Sequence, residues 1–244
     1  MTRSIFRISG PDTRDFLQGL VTNDVKKLES GIVYTALLTA QGKFLADFFL
    51  IADQEDVLLD VDTSLAPMLL QKLSMYKLRA NVQIQETTLG VKRGTGPAPD
   101  GAVKDPRHEA LGWRLYGAES GSDSTNWLEL QVKNCIPQTG IELTPETYIL
   151  EAGFERLNGV DFRKGCYVGQ EVTARMKHKT ELRKGLRTVS IDGDAETGTP
   201  IHAGTKEAGT VLSTTGSQAI AYLRFDRAKG PLNAGAATVL VDPL

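Results

Sequence analysis

The sequence predicts an α+β protein in which a larger N-terminal region is followed by a small antiparallel β-barrel or sandwich. Two observations lead to this fold class. In the N-terminal region, several strand-like segments are followed by an amphipathic helix that could cover them, which is typical of an α+β layer. After Lys184 the pattern changes to short β-prone stretches separated by glycine-rich turns. We therefore place a domain boundary near residue 182, which gives regions 1–181 and 182–244.

The N-terminal region begins with a predicted strand at 5–8, and Asp12 is the expected N-cap of a helix that follows it. Three further strands are predicted at 32–38, 44–51 and 57–61. These runs are rich in β-branched and aromatic residues, which favour strands. From Ser64 onward apolar residues recur at helical spacing, and Pro67 suits the first turn of a helix. A strand at 82–84 completes the layer.

Two later segments have less regular patterns. Residues 92–107 contain three prolines and three glycines, which predicts a loop or a connection between two subdomains. Residues 145–158 are predicted to form a helix, with apolar side chains available for packing. The expected strands of the C-terminal region are 186–191, 209–212, 219–225 and 237–241.

The composition indicates an ordinary globular protein. Of 244 residues, 41% are apolar and 24% are charged, and the net charge of −2 gives no general attraction to nucleic acid or membranes. The N-terminus has no apolar core of a signal peptide, and the longest apolar runs, such as 48–52, are too short to span a bilayer. We therefore expect a protein with no membrane partner.

The cysteine content argues for a reducing compartment. Cys135 and Cys166 are too few for a secreted disulfide scaffold, so the composition predicts a cytoplasmic location. Two cysteines and three histidines also cannot supply a four-ligand zinc site with the usual spacing.

The strongest local motif is Lys164-Gly-Cys-Tyr-Val-Gly-Gln-Glu171. Its two glycines allow a tight turn and close approach to a ligand, and residues from Gln170 onward favour a helix. Cys166 would then lie just before a helix N-terminus and two residues from Lys164. Both features stabilise a thiolate, which predicts a reactive cysteine. The alternative for Cys166 is a small buried hydrophobic residue.

Other arrangements around the motif are weaker. His178 lies twelve residues after Cys166, about 18 Å along a continuous helix, so a catalytic Cys–His pair is not expected. Residues 172–187 contain six basic residues against Glu181 alone, a local balance of +5. This segment could bind a carboxylate, a phosphate or RNA, or it could be a solvated helix end.

The octet at 164–171 resembles the signature of the YgfZ family, whose pattern is Lys-Gly-Cys, an aromatic residue, any residue, then Gly-Gln-Glu. The resemblance extends along the chain and is closest to the branch shared by mitochondria and their bacterial relatives. The other similar segments are Gly10-Pro-Asp12, 16–24, 41–44, Asp105-Pro-Arg107, Leu111-Gly-Trp-Arg114 and 157–166.

The resemblance implies a T-protein-like fold, with interlaced α+β subdomains around a central channel and a C-terminal antiparallel β-barrel. It also implies tetrahydrofolate binding in the channel and a role in assembling or repairing iron–sulfur proteins. The implied catalytic residues are Cys166 and Lys164. The implied cofactor-binding residues are Asn23, Asp47, Tyr167, Gly169, Gln170, Glu171 and Arg175. No resident metal is expected, although Cys166 could be one ligand of a transiently shared iron–sulfur cluster.

The chain departs from T-proteins at one position. T-proteins have two adjacent aspartates on the strand after the hairpin, one of them catalytic, and the corresponding residues here are Ala46 and Asp47. This departure argues against ordinary glycine-cleavage chemistry. Asp47 could contact a folate ring nitrogen, or it could be a solvent-facing strand residue near a turn.

Three functions follow as hypotheses. The first is an accessory protein that binds folate and uses Cys166 to contact iron–sulfur assembly proteins or client enzymes. The second is a folate-dependent one-carbon transferase that uses Asp47 as general acid or base. The third is RNA binding or tRNA modification through residues 175–187.

Overall fold

The computed structural model describes residues 2–179 and 181–241. The chain forms two compact units. One comprises Met1–Thr125 with Phe154–Ala174, and the other comprises Asn126–Gly153 with Arg175–Leu244. The predicted boundary near residue 182 differs from this division and stays a prediction. No helix in the described ranges is both long enough and apolar enough to cross a bilayer.

The first unit is built on a five-stranded antiparallel sheet with the order β2-β3-β4-β1-β5. Its strands are β1 Arg3–Ser9, β2 Val33–Leu38, β3 Phe44–Asp53, β4 Asp56–Asp62 and β5 Gln83–Glu86. All five strands predicted for this layer are present. The first four contain several β-branched or aromatic residues, which favour strands, whereas β5 is indicated by apolar residues that alternate with polar ones.

Two helices supply apolar side chains to one face of this sheet. They are α1 Thr13–Gln18 and α2 Ala66–Lys77, and α2 has a proline in its first turn as predicted. Leu17, Leu69 and Leu73 belong to one fully buried apolar cluster with Phe48 of β3. Asp12 occupies the N-cap position of α1, but its carboxylate accepts a hydrogen bond from the backbone N–H of Asn81 at 2.7 Å instead.

A second, smaller sheet in the first unit has the order β7-β8-β6-β9. Its strands are β6 Gly90–Gly94, β7 Val103–Lys104, β8 Trp113–Gly117 and β9 Gly121–Ser122. The predicted loop at 92–107 is therefore only partly a loop. Its first residues lie in β6, which pairs with β8. A glycine- and proline-rich segment predicts a loop, and the pairing with a strand some 20 residues later cannot be recognised from the local sequence.

The predicted helix at 145–158 is wrong, because the structure has a succession of turns there. Gly153 has φ +78°, a left-handed conformation that interrupts a right-handed helix. The apolar positions were nevertheless identified correctly, since Ile149, Ala152, Phe154 and Leu157 are all buried.

The second unit contains a closed six-stranded barrel with the order β10-β13-β12-β11-β14-β15, and all of its pairings are antiparallel. Helix α3 Trp127–Lys133 packs against β12 and β13, and α4 Gln170–Lys179 precedes the barrel in the chain. The barrel strands are β10 Lys184–Asp192, β11 Pro200–Ala203, β12 Lys206–Thr215, β13 Gln218–Arg224, β14 Leu232–Ala234 and β15 Ala237–Val241. The predicted fold class, with its C-terminal barrel, is confirmed.

Two glycines hold the signature against the β2–β3 hairpin in the first unit. Gly169 has φ +83°, and a Cβ placed there would lie 2.6 Å from the carbonyl oxygen of Thr39 and 3.1 Å from the Cα of Gly42. A Cβ on Gly42, which has φ +77°, would lie 2.9 Å from the Cβ of Val172. The backbone of the signature and the turn of the hairpin therefore meet with no room for side chains.

We expect Gly169→Ala to lower the free energy of unfolding by about 2–4 kcal/mol, because the methyl group requires both an unfavourable φ and movement of the hairpin. Urea unfolding followed by circular dichroism measures this loss. Gly165→Ala is the matched control, since nothing lies within 4 Å of its added Cβ. That control should change stability by less than about 0.5 kcal/mol, and equal losses in both variants would contradict the packing argument.

Candidate functional site

One face of the first sheet carries polar and aromatic residues instead of an aliphatic core. Successive strand residues point to opposite faces, so Tyr34, Asp47, Phe49 and Asp60 lie opposite Phe48 and its apolar cluster. Tyr34 pairs with Phe49, which in turn pairs with Asp60 across adjacent strands. All four side chains are buried. We call these four residues the polar face.

Three arginines surround the ring of Phe49. The guanidinium carbons of Arg114, Arg107 and Arg3 lie 4.0, 4.9 and 5.5 Å from the ring centroid. Each distance is within the range of a cation–π interaction, which is strongest where water is excluded. Arg3 comes from β1 and Arg114 from β8, so the ring lies where elements of both sheets of the first unit meet.

The carboxylate of Asp60 is the most enclosed charge of this group. It accepts hydrogen bonds from Arg3 Nε at 2.6 Å, from Arg114 Nη2 at 2.5 Å and from the hydroxyl of Tyr116 at 2.7 Å. Burial by itself would raise the pKa of Asp60, but the two guanidinium groups and the Tyr116 hydrogen bond outweigh it and hold that pKa below its usual value. Asp60 is therefore ionised at neutral pH.

Asp105 forms a second buried ion pair through the Asp105-Pro-Arg107 turn. Arg107 donates from Nε at 3.0 Å and from Nη2 at 2.8 Å, a bidentate arrangement. Arg114 Nη1 lies 3.4 Å from the same carboxylate. Burial would raise the pKa of Asp105, but Arg107 and Arg114 lower it below its usual value. Arg114 thus links both buried carboxylates.

Asp47 and Tyr34 form a separate polar contact on the same face. The hydroxyl of Tyr34 lies 3.0 Å from Asp47 Oδ2 and donates to it. Burial, reinforced by the negative charge of Asp47, raises the pKa of Tyr34 well above its usual value, so the hydroxyl stays protonated. The Tyr34 ring lies between Phe49 and Phe154, each 5.2 Å away between centroids. The contact therefore combines an acceptor, a neutral donor and aromatic surfaces.

A cavity of about 280 Å³ opens beside the arginines of the polar face. We call it the arginine cavity. It is lined by Thr2, Arg3, Phe49, Val91, Arg93, Arg107, Arg114, Ser120, Gly121 and Ser122. Burial, together with repulsion from the three other arginines, lowers the pKa of Arg93 to about 10. Four guanidinium groups therefore line one cavity.

Asn23 is buried next to the polar face. Its amide donates to the carbonyl of Tyr34 at 2.8 Å and to that of Asn158 at 2.6 Å, and its side-chain oxygen accepts from Lys27 Nζ at 2.9 Å. Asn23, Lys27, Tyr34 and Asn158 also line a cavity of about 250 Å³. Asn23 and Asp47, both predicted to bind the cofactor, therefore both contact Tyr34. Asn23 bonds to the backbone carbonyl of Tyr34, and Asp47 bonds to its hydroxyl.

Lys164 is buried and bonded to the backbone. Its ammonium group donates to the carbonyl oxygen of Gln18 at 2.7 Å and to that of Val21, at and just beyond the end of α1. It also lies 5.0 Å from the ring centroid of Tyr167. Burial lowers the pKa of Lys164 to about 8, although Asp24 opposes this shift. Its predicted action on Cys166 stays a prediction.

Cys166 is exposed and is not in a disulfide. Lys164 and Tyr167, which lie on either side of Cys166 in the chain, are buried, and the Cys166 side chain between them faces solvent. Burial raises the pKa of Tyr167 to about 12. Helix α4 begins at Gln170, which confirms that Cys166 precedes a helix N-terminus. The interpretation of Cys166 as a small packed hydrophobic residue is wrong.

The remaining predicted residues lie along α4. The amide of Gln170 donates to the carbonyl of Gly165 at 3.4 Å, which closes the loop that holds the thiol. Glu171 lies in the first helical turn and is exposed, and Gly169 lies against the hairpin. Arg175 is exposed and falls in the second unit. The part of these residues in binding a cofactor stays a prediction.

We call Arg3, Arg107 and Arg114 around Phe49 the guanidinium cluster, and none of the predictions from sequence includes it. Its members lie far apart in the chain, and only Arg107 and Arg114 occur in segments that marked the family resemblance. Two observations could have pointed to it. In β3, charged and aromatic residues alternate with apolar ones, which predicts a polar sheet face. In β1, which pairs with β4, Arg3 and Arg7 lie on the face opposite Phe6 and Ile8.

We expect Asp60→Asn to lower the free energy of unfolding by about 3–5 kcal/mol at pH 7, because Arg3 then remains buried without its countercharge and Arg114 keeps only its contact with Asp105. The folded-state pKa of Asp60 lies below its unfolded value, so this stabilisation is present above about pH 4 and is lost as pH falls through the folded pKa. Urea unfolding between pH 3 and 8 measures it. Asp100→Asn, at an exposed position, is the control. A difference that persists unchanged to pH 3 would contradict the argument.

Comparison with known proteins identifies relatives over both parts of the chain. Residues 183–243 match the family model described as the CAF17 C-terminal β-barrel domain. Mouse iron–sulfur cluster assembly factor IBA57, a mitochondrial protein, is 28% identical over 95% of this chain and 78% of its own length. The homologue from Mycosarcoma maydis is 32% identical over 78% of this chain, which spans only 55% of that protein.

These relatives correct one prediction. The cysteine content predicts a cytoplasmic location, but the mouse, human and fungal relatives are all named as mitochondrial factors. The prediction of a cytoplasmic location is therefore wrong. Two cysteines that form no disulfide indicate a reducing compartment. The mitochondrial relatives show that this criterion does not distinguish the cytoplasm from other reducing compartments.

A solved structure agrees with the fold. The crystal structure of the glycine cleavage system aminomethyltransferase T from Bartonella henselae superposes with a TM-score of 0.79. The superposition covers 99% of this chain and 83% of the other at 12% sequence identity, which is evidence about the fold alone. The T-protein-like fold, the CAF17-type barrel and the IBA57 relatives together support a YgfZ/CAF17-like family.

Proposed function

We propose that this protein is a folate-binding accessory factor in iron–sulfur cluster assembly that acts through Cys166. The observation that carries the proposal is that the Cys166 thiol is exposed while Lys164 and Tyr167, on either side of it, are buried. The names of the mouse and human relatives, iron–sulfur cluster assembly factors, support the assignment to this process. Iron–sulfur assembly proteins or client enzymes are the expected partners.

The chemistry available at Cys166 is that of one thiolate. Iron–sulfur clusters are normally held by four cysteine thiolates, so Cys166 would supply one ligand, and a partner protein or glutathione would supply the rest. In residues 2–179 and 181–241, no three histidine, cysteine, aspartate or glutamate side chains are grouped so that they could hold a metal ion. The cluster would therefore be a shared cargo and not a resident cofactor.

Two features support activation of the thiol. The N-terminus of α4 begins four residues after Cys166, and the partial positive charge of a helix N-terminus stabilises a thiolate. Lys164 contributes a second positive charge two residues away. Its bonds to the carbonyl oxygens of Gln18 and Val21 limit its movement, so it would act as a fixed charge and not as a proton donor.

The polar face supports folate binding in the first unit. Asp47 is buried and already accepts one hydrogen bond from Tyr34, and its carboxylate can accept more from the N–H groups of a pterin ring. Tyr34 and Phe49 offer aromatic surfaces next to it. Asn23 fixes the backbone at Tyr34. Tetrahydrofolate is therefore the proposed cofactor.

A one-carbon transferase is the alternative that one observation favours. Asp47 is a buried carboxylate beside a protonated tyrosine, an arrangement that could serve as general acid or base. Ala46 occupies the position of the second T-protein aspartate, but it lies in the apolar core on the opposite face. Turnover of methylenetetrahydrofolate with an amine acceptor would support a transferase. For RNA binding, the basic segment gives no further support, because Glu151, Glu181 and Asp226 line the same groove as Arg183.

We expect Cys166→Ala to abolish the support of iron–sulfur enzymes while leaving the fold and folate binding unchanged. The side chain is exposed, so its loss removes the thiol without opening a cavity in the core. The measurements are growth and iron–sulfur enzyme activity in a deletion strain, thermal unfolding, and calorimetric binding of tetrahydrofolate. Cys135→Ala, which removes the other thiol, is the matched control and should rescue fully. Full rescue by Cys166→Ala would falsify the proposed mechanism.

We expect Lys164→Met to slow alkylation of Cys166 by about three- to tenfold at pH 7, because the thiolate loses a nearby positive charge. In the wild type this advantage should disappear above about pH 8, as Lys164 itself loses its proton. Stopped-time iodoacetamide labelling between pH 6 and 10, in a Cys135→Ala background, measures both effects. Lys26→Met, at an exposed position, is the control. Identical pH profiles for Lys164→Met and wild type would remove Lys164 from the mechanism.

A further inference from the structure

The C-terminal end of helix α2 exposes large apolar side chains. Six large apolar side chains are exposed in the part of the chain that the structure describes, and three of these are Met75, Tyr76 and Leu78. Their exposed fractions are 60%, 38% and 89%. Single exposed apolar residues are common, whereas several together mark an interaction site. We call these three residues the α2 patch.

The backbone holds Leu78 in an unusual conformation. Its φ of +40° with ψ −102° is one that a branched L side chain rarely adopts. The residues that follow are anchored, because Ala80 N–H donates to the carbonyl of Lys77 at 2.7 Å and Asn81 N–H donates to Asp12 at 2.7 Å. Strain of this kind persists only where the surrounding structure imposes it, and it is frequent at ligand and partner sites. Leu78 is thus presented from a fixed turn.

Three cations accompany the α2 patch. Lys72 lies one helical turn before Met75, and Lys77 and Arg79 flank Leu78 in the chain. Residues 63–85 contain no aspartate or glutamate. Within residues 2–179 and 181–241, none of the three cationic side chains forms an ion pair or a hydrogen bond. The patch therefore combines an apolar surface with positive charges that are open to a partner.

Helix α1 connects the α2 patch to the signature. At its start, Asp12 accepts the N–H of Asn81, which follows α2. At its end, the carbonyl of Gln18 accepts from Lys164 of the signature. Six helical residues span about 9 Å, and a standard protein interface covers about 800 Å² on each partner. A partner that covers both ends of α1 would contact the patch and also reach the loop of Cys166.

The chemistry of the patch favours one class of occupant. A symmetric contact between two copies would bring the cations together, and like charges across an interface are unfavourable. A bilayer surface suits a helix with an exposed apolar face, but Leu69 and Leu73 of α2 are buried in the core. An acidic protein surface with an apolar pocket for Leu78 complements both the charges and the exposed side chain.

We infer that the α2 patch is the docking surface for an acidic partner protein, the one that completes the ligands of the cluster at Cys166. The inference rests on the proposed function, in which Cys166 shares a cluster with a partner. Leu78 is the apolar anchor of the contact, and Lys72, Lys77 and Arg79 attract and orient the acidic surface.

Titration of the purified protein into an extract of the deletion strain tests the anchor, because the extract supplies the native partner. The readout is the activity of an iron–sulfur enzyme in the extract. Leu78→Gly should raise the half-maximal protein concentration by about tenfold or more and leave the maximal activity unchanged. Glycine adopts positive φ without strain, so the variant should fold like the wild type, which thermal unfolding checks.

Two further variants control this result. Leu78→Asn tolerates the same backbone conformation but has a polar side chain, so it should give the same shift. Leu128→Ala, at an exposed leucine of α3, should stay within about twofold of the wild type. A half-maximal concentration of Leu78→Gly equal to that of the wild type would overturn the inference.

A charge reversal tests the acidity of the partner. Arg79→Glu should also raise the half-maximal concentration about tenfold, and its difference from the wild type should shrink at high salt. Lys206→Glu, at an exposed lysine of the barrel, is the control and should behave like the wild type. Equal curves for Arg79→Glu and Lys206→Glu would rule out an acidic partner at this surface.

The same titration separates this inference from the proposed function. Cys166→Ala should abolish the maximal activity at every concentration, whereas the docking variants shift only the concentration required. An inactive Cys166→Ala with an unaffected Leu78→Gly would refute the docking surface and leave the proposed function standing. A fully active Cys166→Ala would refute the proposed function itself.

Two measurements examine the other occupants. One is sedimentation with vesicles of phosphatidylcholine and phosphatidylglycerol, and the other is analytical ultracentrifugation of the protein alone. The wild type and Leu78→Gly should give the same result in each. Vesicle binding that requires Leu78 would assign the patch to a membrane, and dimerisation that requires Leu78 would assign it to a second copy. Either result would overturn the inference.

Discussion

The buried carboxylate of Asp60 is the constraint on which the first unit depends. It has no exposure to solvent and is held by Arg3 from one sheet and by Arg114 and Tyr116 from the other. Removing such a charge from water costs several kcal/mol, which only well-oriented countercharges and hydrogen bonds recover. The smaller sheet is thereby joined to the larger one by directional ion pairs in addition to apolar contacts. Because Arg114 also contacts Asp105, the same interaction fixes the position of Arg107 beside Phe49.

The signature at 164–171 is held in place by close backbone packing and by the hydrogen bonds of Lys164. Its backbone meets the β2–β3 hairpin at Gly42 and Gly169, where neither segment has room for a side chain. Lys164 ties the other end of the loop to the carbonyl groups that follow α1. Lys164 and Tyr167 take the interior positions, so Cys166 between them is left outside. Exposure of the thiol is thus a result of how its neighbours are anchored.

Helices and strands whose formation depends on residues close together in the chain could be predicted from the sequence. Four of the six barrel strands, the helix with Pro67 in its first turn and the helix start at Gln170 were predicted from patterns within a few residues, whereas β11 and β14 were not predicted. The guanidinium cluster could not be predicted in this way, because Arg3 is 57 positions from Asp60 and the two meet only through strand pairing. The prediction of a helix at 145–158 is wrong for a different reason. The apolar spacing there is helical, but Gly153 adopts a left-handed conformation, which a right-handed helix does not accommodate.

Each reactive group of the proposed mechanism is incomplete within this chain. Cys166 is one thiolate where a cluster needs four ligands. Asp47 is one carboxylate where T-proteins have two, and Ala46 in the second position is packed in the apolar core and cannot substitute for it. A chain that performed the chemistry alone would need the missing groups on its own side chains. A factor that supplies one ligand and a binding site needs a partner to complete the arrangement, and this is the physical basis of the proposed accessory role.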